Sequence, residues 1–298
     1  MACACEHCGH EFVAEPEGGH RLLCGDATSG DDVARLMGGE EADICFTSPP
    51  YAQQRDYKTG PQDWDPLMQG VFSILPAKRE AQVLVNLGLV HHDGEWLPYW
   101  DGWIEWMRAA GWRRFGWYVW DQGSGLPGYW SGRLAPSHEF IFHFNRVAMR
   151  PNKSASSKHA GAIYNSSSTL RVADGAAGSP KSSNGKPVAS HKVPDSVIRQ
   201  VRENRDIGHP AVFPVSLASE MLTTFSDSGD LAYEPFCGGG TQLIAAEQDG
   251  RRCSAIEIAP PYVDVAVKRW SKFTGRVAVL ADDGRTFEEV AQVRGVPT

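Results

Sequence analysis

Short apolar runs alternate along the chain with segments in which apolar residues recur at helical spacing. The runs of strand length lie at 42–47, 115–120, 139–144, 231–234, 253–257 and 277–280. Apolar residues three or four positions apart predict helices at 31–37, 100–110, 217–225, 241–249 and 262–273. Strands that alternate with helices indicate a parallel sheet covered on both faces. We therefore expect an α/β fold with a doubly wound, Rossmann-like, mostly parallel sheet.

Two segments depart from this alternation. Residues 52–100 are polar at first and then carry apolar residues at helical spacing. Residues 151–192 are rich in Ser, Gly, Lys and Ala and hold few large apolar side chains, which is typical of a loop or of a segment that orders on a partner. The pattern divides the chain into an appendage at 1–19, two parts of one α/β domain at 20–145 and 207–298, and an insert at 146–206.

Composition is consistent with this interpretation. Hydrophobic residues make up 42% of the 298 positions, which is ample for a core. There is no apolar run of about 18 residues, so we expect no transmembrane helix. The first residues lack the apolar centre of a secretory signal, and a cytoplasmic protein is therefore expected.

Charge is distributed unevenly. The net charge is −7, yet residues 146–206 hold eleven Lys and Arg against four acidic residues, so this insert is +7 and the remainder is −14. A basic insert on an acidic body can be a binding surface for phosphates. A solvated linker would have the same composition, and charge alone leaves both interpretations open.

Three of the seven cysteines cluster at the start of the chain, at Cys3, Cys5 and Cys8. The Cys5-x-x-Cys8-Gly sequence resembles one half of a zinc ribbon, and clustered cysteines in a reducing compartment suggest metal. A tetrahedral zinc site takes four ligands, however, and the chain has no second Cys-x-x-Cys. We therefore predict no metal site, with zinc at these three cysteines as the alternative.

A glycine-rich segment follows the strand at 231–234, and we call it the glycine loop (234–241). It reads Glu234-Pro235-Phe236-Cys237-Gly238-Gly239-Gly240-Thr241. Glycines at such a turn let the backbone approach a ligand, and the following helix N-terminus favours negative charge. Glu257 ends the next strand, where an acid can hydrogen-bond the ribose hydroxyls of a nucleoside cofactor. An ordinary βα turn and a solvated strand end are the alternatives.

The strand at 42–47 ends in Ser48-Pro49-Pro50-Tyr51, the SPPY segment (48–51). Prolines make a rigid corner without backbone donors, and the carboxyl edge of an α/β sheet is where ligands bind. The Ser48 hydroxyl and the Pro49 carbonyl could together bind an amino group, and Tyr51 could stack on a planar base. The alternative is a plain Pro-Pro turn with an exposed tyrosine.

Both motifs are similar to those of the DNA amino-methyltransferases. The SPPY segment resembles their motif IV. The glycine loop resembles their motif I, Asp-Pro-Phe-x-Gly-x-Gly-Thr. It departs from that motif in having Glu234 instead of Asp and Gly239 instead of Ser. Further matches in the same order lie at 23–26, 209–214, 250–257 and 261–270. The resemblance covers about residues 20–150 and 207–275, and the spaced motifs agree in order.

The resemblance implies a class I methyltransferase fold and S-adenosylmethionine as cofactor. It implies catalytic roles for Ser48, Pro49, Pro50 and Tyr51. It assigns cofactor contacts to Asp26, Ser48, Phe213, Pro214, Glu234, Pro235, Phe236, Cys237, Gly238, Gly240, Thr241 and Glu257. A longer carboxylate at position 234 would still reach the amino group of the cofactor.

Motif order narrows the resemblance further. The catalytic motif precedes the cofactor motif, with the basic insert between them, as in the circularly permuted β group of these enzymes. In that group the insert recognises the target sequence, so 20–145 is expected to be the catalytic half, 146–206 to face double-stranded DNA, and 207–298 to be the cofactor-binding half. Members of the group often dimerise, and we expect a homodimer. The chain has no identifiable nuclease motif, so it would serve a restriction system or act alone.

The target base stays open between adenine N6 and cytosine N4. Ser at the first position of motif IV is commoner among cytosine enzymes of this family, whereas adenine methylation dominates the β group, so we slightly favour adenine. Methylation of RNA or of a protein amide is a weaker alternative, because those relatives carry Asn in motif IV and place motif I first. A silent DNA-binding protein is disfavoured by the intact motifs.

Overall fold

The computed structural model describes residues 11–13, 19–51, 64–125, 128–163, 167–168, 181–182, 186–202 and 213–293. The strands are β1 (Glu11–Val13), β2 (Arg21–Cys24), β3 (Ala42–Thr47), β4 (Ala77–Leu87), β5 (Val90–His92), β6 (Glu95–Leu97), β7 (Arg113–Asp121), β8 (His138–Asn145), β9 (Ala155–Ser156), β10 (Ser167–Ser168), β11 (Lys181–Ser182), β12 (His191–Lys192), β13 (Val197–Arg199), β14 (Leu231–Glu234), β15 (Arg252–Glu257) and β16 (Val279–Leu280). The helices are α1 (Gly30–Met37), α2 (Trp64–Ser73), α3 (Asp101–Ala109), α4 (Val215–Phe225), α5 (Thr241–Gln248), α6 (Pro260–Thr274) and α7 (Phe287–Val293).

Ten strands form one sheet in the order β13-β7-β8-β4-β3-β14-β15-β2-β1-β16. The central strands β4, β3, β14, β15 and β2 are parallel to one another. β8 and β1 run against their neighbours, so the sheet is mixed but mostly parallel. The predicted α/β class is confirmed.

Helices cover both faces of this sheet. Along β3, Ile44 and Phe46 pack in one hydrophobic core with α4, α5, α6 and α7, while Cys45 packs in a second core with α1, α2 and α3. Alternate residues of a strand point to opposite faces, so a central strand with two covered faces is apolar at consecutive positions. This explains why the run at 42–47 is continuous rather than alternating.

The segment 52–100 differs most from its sequence pattern. Its apolar residues are spaced as in a helix, but α2 is the one helix wholly within the described part of this segment, and β4 is a strand of eleven residues followed by the β5–β6 hairpin. β4 lies between β8 and β3, and the last seven of its residues are buried. A strand buried on both faces has no period-two signal, and for this reason the periodicity does not indicate it.

The described residues form two compact units, one at 151–195 and the other comprising the chain before and after it. The smaller unit contains the two-stranded pairs β9–β12 and β10–β11. The predicted insert spans 146–206, whereas β13 pairs with β7 in the sheet of the larger unit.

Cys3, Cys5 and Cys8 lie outside the described residues. No helix in the described part of the chain is long and apolar enough to cross a membrane.

Candidate active site

The predicted motifs lie at the carboxyl ends of neighbouring central strands. β3 ends at Thr47, directly before the SPPY segment, and its parallel neighbour β14 ends at Glu234, where the glycine loop begins. The next strand, β15, ends at Glu257, and β2 beside it leads to Asp26. The sheet therefore brings the segments predicted to be catalytic and cofactor-binding to one edge, the edge at which α/β sheets bind ligands.

A buried hydrogen bond joins the two motifs. The Thr47 hydroxyl donates to Glu234 Oε1, and the Phe236 backbone N–H donates to the same oxygen at 2.9 Å. Thr47 and Glu234 are both fully buried. The last residue of β3 and the first residue of the glycine loop are thus fixed to each other.

Glu257 holds the turn of the glycine loop. Its Oε2 accepts from the Gly238 N–H at 2.7 Å and its Oε1 accepts from the Ala259 N–H at 2.9 Å. Burial raises the pKa of this carboxyl, and the backbone hydrogen bonds oppose that rise. Gly240 has φ +77°, and a Cβ there would lie 2.8 Å from Ala266 Cβ, so only glycine fits between the loop and α6.

Asp26 lies beside Glu257 at the same edge. The Gly25 N–H donates to the Glu257 carbonyl at 3.1 Å, which aligns the two strand ends. Asp26 Oδ1 accepts from both the backbone N–H and the hydroxyl of Thr28, each at 2.8 Å. This oxygen closes the turn that leads into α1.

Phe213 and Pro214 precede α4. Pro214 has an extended conformation at the N-terminus of the helix, and the Phe213 ring packs on Phe46 of β3 with 5.2 Å between centroids. The neighbouring motif residues His209 and Pro210 lie outside the described residues. The site thus combines a strand-end carboxylate that can accept hydrogen bonds, backbone N–H groups of a glycine loop and nearby apolar rings. These groups fit a nucleoside cofactor such as S-adenosylmethionine.

The SPPY segment contacts two polar residues that the sequence analysis does not identify. The Tyr51 hydroxyl donates to Glu139 Oε2 at 2.6 Å, and Asn86 Nδ2 donates to the same oxygen at 2.6 Å and to the Tyr51 hydroxyl at 3.1 Å. Ser48 Oγ lies 3.4 Å from the Tyr51 hydroxyl. A sequence signal exists, because Asn86 interrupts the apolar run of β4 and Glu139 precedes that of β8.

The family profile of the N6/N4 DNA methylases matches residues 42–268, from β3 into α6. This chain belongs to that family. The resemblance based on the motifs is therefore confirmed at the level of the family.

Curated relatives agree with this membership. The chain is 27% identical over 179 residues to the type II methyltransferase M.Cfr9I of Citrobacter freundii, covering 56% of this chain and 49% of that protein. It is 27% identical over 175 residues to the type II methyltransferase M.XycI of Xanthomonas campestris pv. cyanopsidis, with the same two shares. The chain thus spans about half the length of these two curated relatives.

Solved structures share the fold. The PvuII DNA methyltransferase, described as cytosine-N4-specific, superimposes with a TM-score of 0.63 at 16% identity, over 95% of this chain and 94% of that chain. The DNA modification methylase TTHA0409 of Thermus thermophilus, solved with S-adenosyl-L-methionine, gives 0.54 at 21% identity over 90% and 96%. At these identities the comparison shows that the chains share a fold.

The buried carboxyl group of Glu234 has a pKa well above its usual value. Burial raises the pKa of its carboxyl from 4.5 to about 8, while the hydrogen bonds from Thr47 and Phe236 oppose the rise and the charge of Glu257 adds to it. The hydrogen bonds to Oε1 are internal to the protein. The contact predicted between Glu234 and the amino group of the cofactor stays a prediction.

We expect the unfolding free energy of the cofactor-free protein to fall as the pH rises through this window. An acid whose pKa is higher in the folded state binds more protons folded than unfolded, so its contribution to stability is complete below the unfolded pKa and is lost as the pH approaches the folded value. Between pH 4.5 and about 8 the loss should be on the order of 5 kcal/mol. Glu234→Gln, which keeps an acceptor oxygen for Thr47, should flatten this slope in urea unfolding; equal slopes would contradict the assignment.

The Tyr51 ring is closely packed. It is 8% exposed, and a Cβ on Gly88 would lie 2.7 Å from Tyr51 Cε2. Burial, followed by the charge of Glu139, raises the pKa of the phenol well above 10, so the hydroxyl stays protonated. Trp64 Nε1 donates to the Pro50 carbonyl at 2.9 Å. Little of the ring surface is therefore open to a base. The stacking of a base on Tyr51 stays a prediction.

Gly88→Ala is expected to slow methyl transfer by about tenfold or more, because the new Cβ displaces a ring whose hydroxyl is fixed by Glu139 and Asn86. Gly30→Ala is the matched control, since a Cβ at Gly30 meets no atom within 4 Å. Single-turnover rates of both variants test the expectation. Equal rates for the two variants would show that the position of Tyr51 does not limit the reaction.

Proposed function

We propose that this chain transfers a methyl group from S-adenosylmethionine to an exocyclic amino group of a base in double-stranded DNA. The observation that carries the proposal is the hydrogen bond between Thr47 and Glu234, which joins the strand end before the SPPY segment to the glycine loop. A cofactor held by the loop would present its methyl group next to Ser48. Family membership supports the same reaction.

The cofactor would be held by the sheet edge. We assign the ribose hydroxyls to Glu257, the adenine to Asp26 and Phe213, and the methionine end to the glycine loop. When bound, S-adenosylmethionine supplies a methyl group already activated by its sulfonium, so no covalent enzyme intermediate is required. The chain then needs to position the two reactants and to stabilise developing charge.

Ser48 and Pro49 would bind the amino group of the target base. The nitrogen lone pair is delocalised into the ring, and hydrogen bonds to Ser48 Oγ and to the Pro49 carbonyl would localise it on the nitrogen. Ser48 Oγ and the Pro49 carbonyl would accept from the amino group while its nitrogen takes the methyl group from the sulfonium sulfur, and one amino proton would then pass to solvent. Because the base must leave the duplex, contacts with the SPPY segment would offset the cost of unstacking.

The basic insert would contact the DNA. Residues 146–206 carry +7 on a chain whose net charge is −7, and the smaller compact unit lies within this range. Lysine and arginine contacts to phosphates make affinity depend strongly on salt. Supporting observations are thus the charge and the separate compactness of this part of the chain.

Adenine N6 is the first candidate for the target and cytosine N4 the second. The preference for adenine rests on its predominance in the β group. The specific observation in favour of cytosine is Ser48 itself, a hydroxyl at the position where adenine enzymes of the resembling family more often carry a carboxylate.

Transfer of tritium from labelled S-adenosylmethionine tests the proposal. Purified protein should label duplex DNA and should leave RNA and protein unlabelled. Label in RNA or in a protein amide would favour the alternative acceptors, and bound DNA without label would indicate a silent DNA-binding protein. Acid hydrolysis of labelled DNA and separation of the bases then distinguishes adenine from cytosine.

We also propose that the active form is a homodimer located in the cytoplasm. The resemblance to the β group supports the dimer. Sedimentation equilibrium of the purified protein at several concentrations tests it, and a single species of 32.6 kDa at all of them would contradict it.

A further inference from the structure

Glu139 lies at the edge of the sheet that carries the SPPY segment. It is the second residue of β8, which runs antiparallel to β4 with Phe140 opposite Leu87. The start of β8 therefore meets the carboxyl end of β4. The side chain of Glu139 is 12% exposed, and its Oε1 lies 3.8 Å from the guanidinium of Arg202.

The carboxylate of Glu139 accepts hydrogen bonds from Tyr51 of the SPPY segment and from Asn86. Its Oε2 is 2.6 Å from the Tyr51 hydroxyl and 2.6 Å from Asn86 Nδ2. An ionised carboxylate only accepts hydrogen bonds, so the single hydroxyl proton of Tyr51 points towards Glu139. Asn86 Nδ2 also donates, at 3.1 Å, to the Tyr51 oxygen.

This arrangement determines the direction of the remaining hydroxyl proton. Ser48 Oγ has the Tyr51 hydroxyl 3.4 Å away and Asn86 Nδ2 3.5 Å away. With the proton of Tyr51 directed to Glu139, the Ser48 proton can point to the Tyr51 oxygen. Ser48 Oγ accepts from Asn86 Nδ2, and its remaining lone pair is then left for an amino group of the base. Without the carboxylate, Tyr51 could donate to Ser48, and the Ser48 proton would then point away from Tyr51, towards the incoming amino group.

We propose that Glu139 is a positioning residue for methyl transfer, acting through Tyr51 to make Ser48 Oγ a hydrogen-bond acceptor. Asn86 supports Glu139 in this role, because Asn86 Nδ2 donates both to Glu139 Oε2 and to the Tyr51 hydroxyl oxygen. The inference rests on the proposed function, because it concerns the amino group that Ser48 would bind. It extends that function by assigning a role to a residue outside the SPPY segment and the glycine loop.

The test is a double-mutant cycle of Glu139→Ala, which removes the acceptor of the Tyr51 proton, and Tyr51→Phe, measured as single-turnover labelling of DNA. Each single variant should lose roughly 10- to 100-fold in rate, because the acceptor orientation of Ser48 is no longer imposed. In the Tyr51→Phe background, Glu139→Ala should cost less than about twofold more, since the two residues act through one hydroxyl. The cofactor dissociation constant should stay within about twofold of the wild-type value in all three.

Glu105→Ala is the matched control, as it removes one carboxylate from an exposed ion pair with Arg114 and should keep the wild-type rate. A wild-type rate in Glu139→Ala or in Tyr51→Phe overturns the inference. Losses that multiply in the double variant overturn it as well, because they indicate independent structural effects. Absence of any label in DNA with the wild-type protein refutes the proposed function instead, and the inference falls with it.

Discussion

Ser48→Ala is expected to lower the single-turnover rate of DNA methylation by about 10²- to 10³-fold. The hydroxyl lies directly after β3, 3.4 Å from Tyr51, at the point where the amino group would attack. Its loss would remove one of the two acceptors proposed to localise the nitrogen lone pair in the transition state. In the proposed site the cofactor is bound mainly by the neighbouring strand ends, so its dissociation constant should change by less than about threefold.

The measurement is a rapid-quench experiment with labelled cofactor and excess enzyme. Ser228→Ala is the matched control, because its exposed hydroxyl donates to the Gly250 carbonyl at 3.2 Å, away from the SPPY segment. An unchanged rate in Ser48→Ala would remove this residue from the mechanism. A large loss of cofactor binding with an unchanged rate at saturation would reassign it to the cofactor site.

Glu257→Ala should weaken cofactor binding by about 100-fold or more. Hydrogen bonds to a charged acceptor contribute about 1.5–3 kcal/mol each, and two ribose hydroxyls would be lost together. The same carboxylate accepts from the Gly238 and Ala259 N–H groups, so the glycine loop loses its internal anchor as well. The rate at saturating cofactor should change much less than the affinity, because Glu257 does not contact the reacting nitrogen in the proposed geometry.

Isothermal titration with S-adenosylmethionine measures this effect. Glu95→Gln, an exposed position in the β5–β6 hairpin, is the charge-matched control and should bind as the wild type does. Affinity of Glu257→Ala within about threefold of the wild type would contradict the assignment of Glu257 to the ribose.

Much of the candidate site can be predicted because its residues lie at strand ends. Ser48, Glu234 and Glu257 each follow an apolar run, and parallel strands bring their carboxyl ends to one edge. The hydrogen bond between Thr47 and Glu234 cannot be predicted in this way. It depends on the register of β3 against β14, in which Cys45 lies opposite Tyr233.

The features that the sequence does not reveal share a physical cause. β4 is buried on both faces and so lacks the alternation that would identify a strand. Without β4, nothing in the sequence places Asn86 beside Tyr51. Glu139 stands at the start of a predicted strand with no apparent role, since only the antiparallel pairing of β8 with β4 brings it to the SPPY segment.

The most direct test of the account is base-resolved methylation mapping of DNA from a host that expresses the protein, beside a host that expresses Ser48→Ala. We predict an N-methylated adenine or cytosine at one recurring sequence with the wild type, and its loss with the variant. The account is contradicted by DNA without a new modified base, by methylation of a cytosine carbon, or by equal methylation with Ser48→Ala.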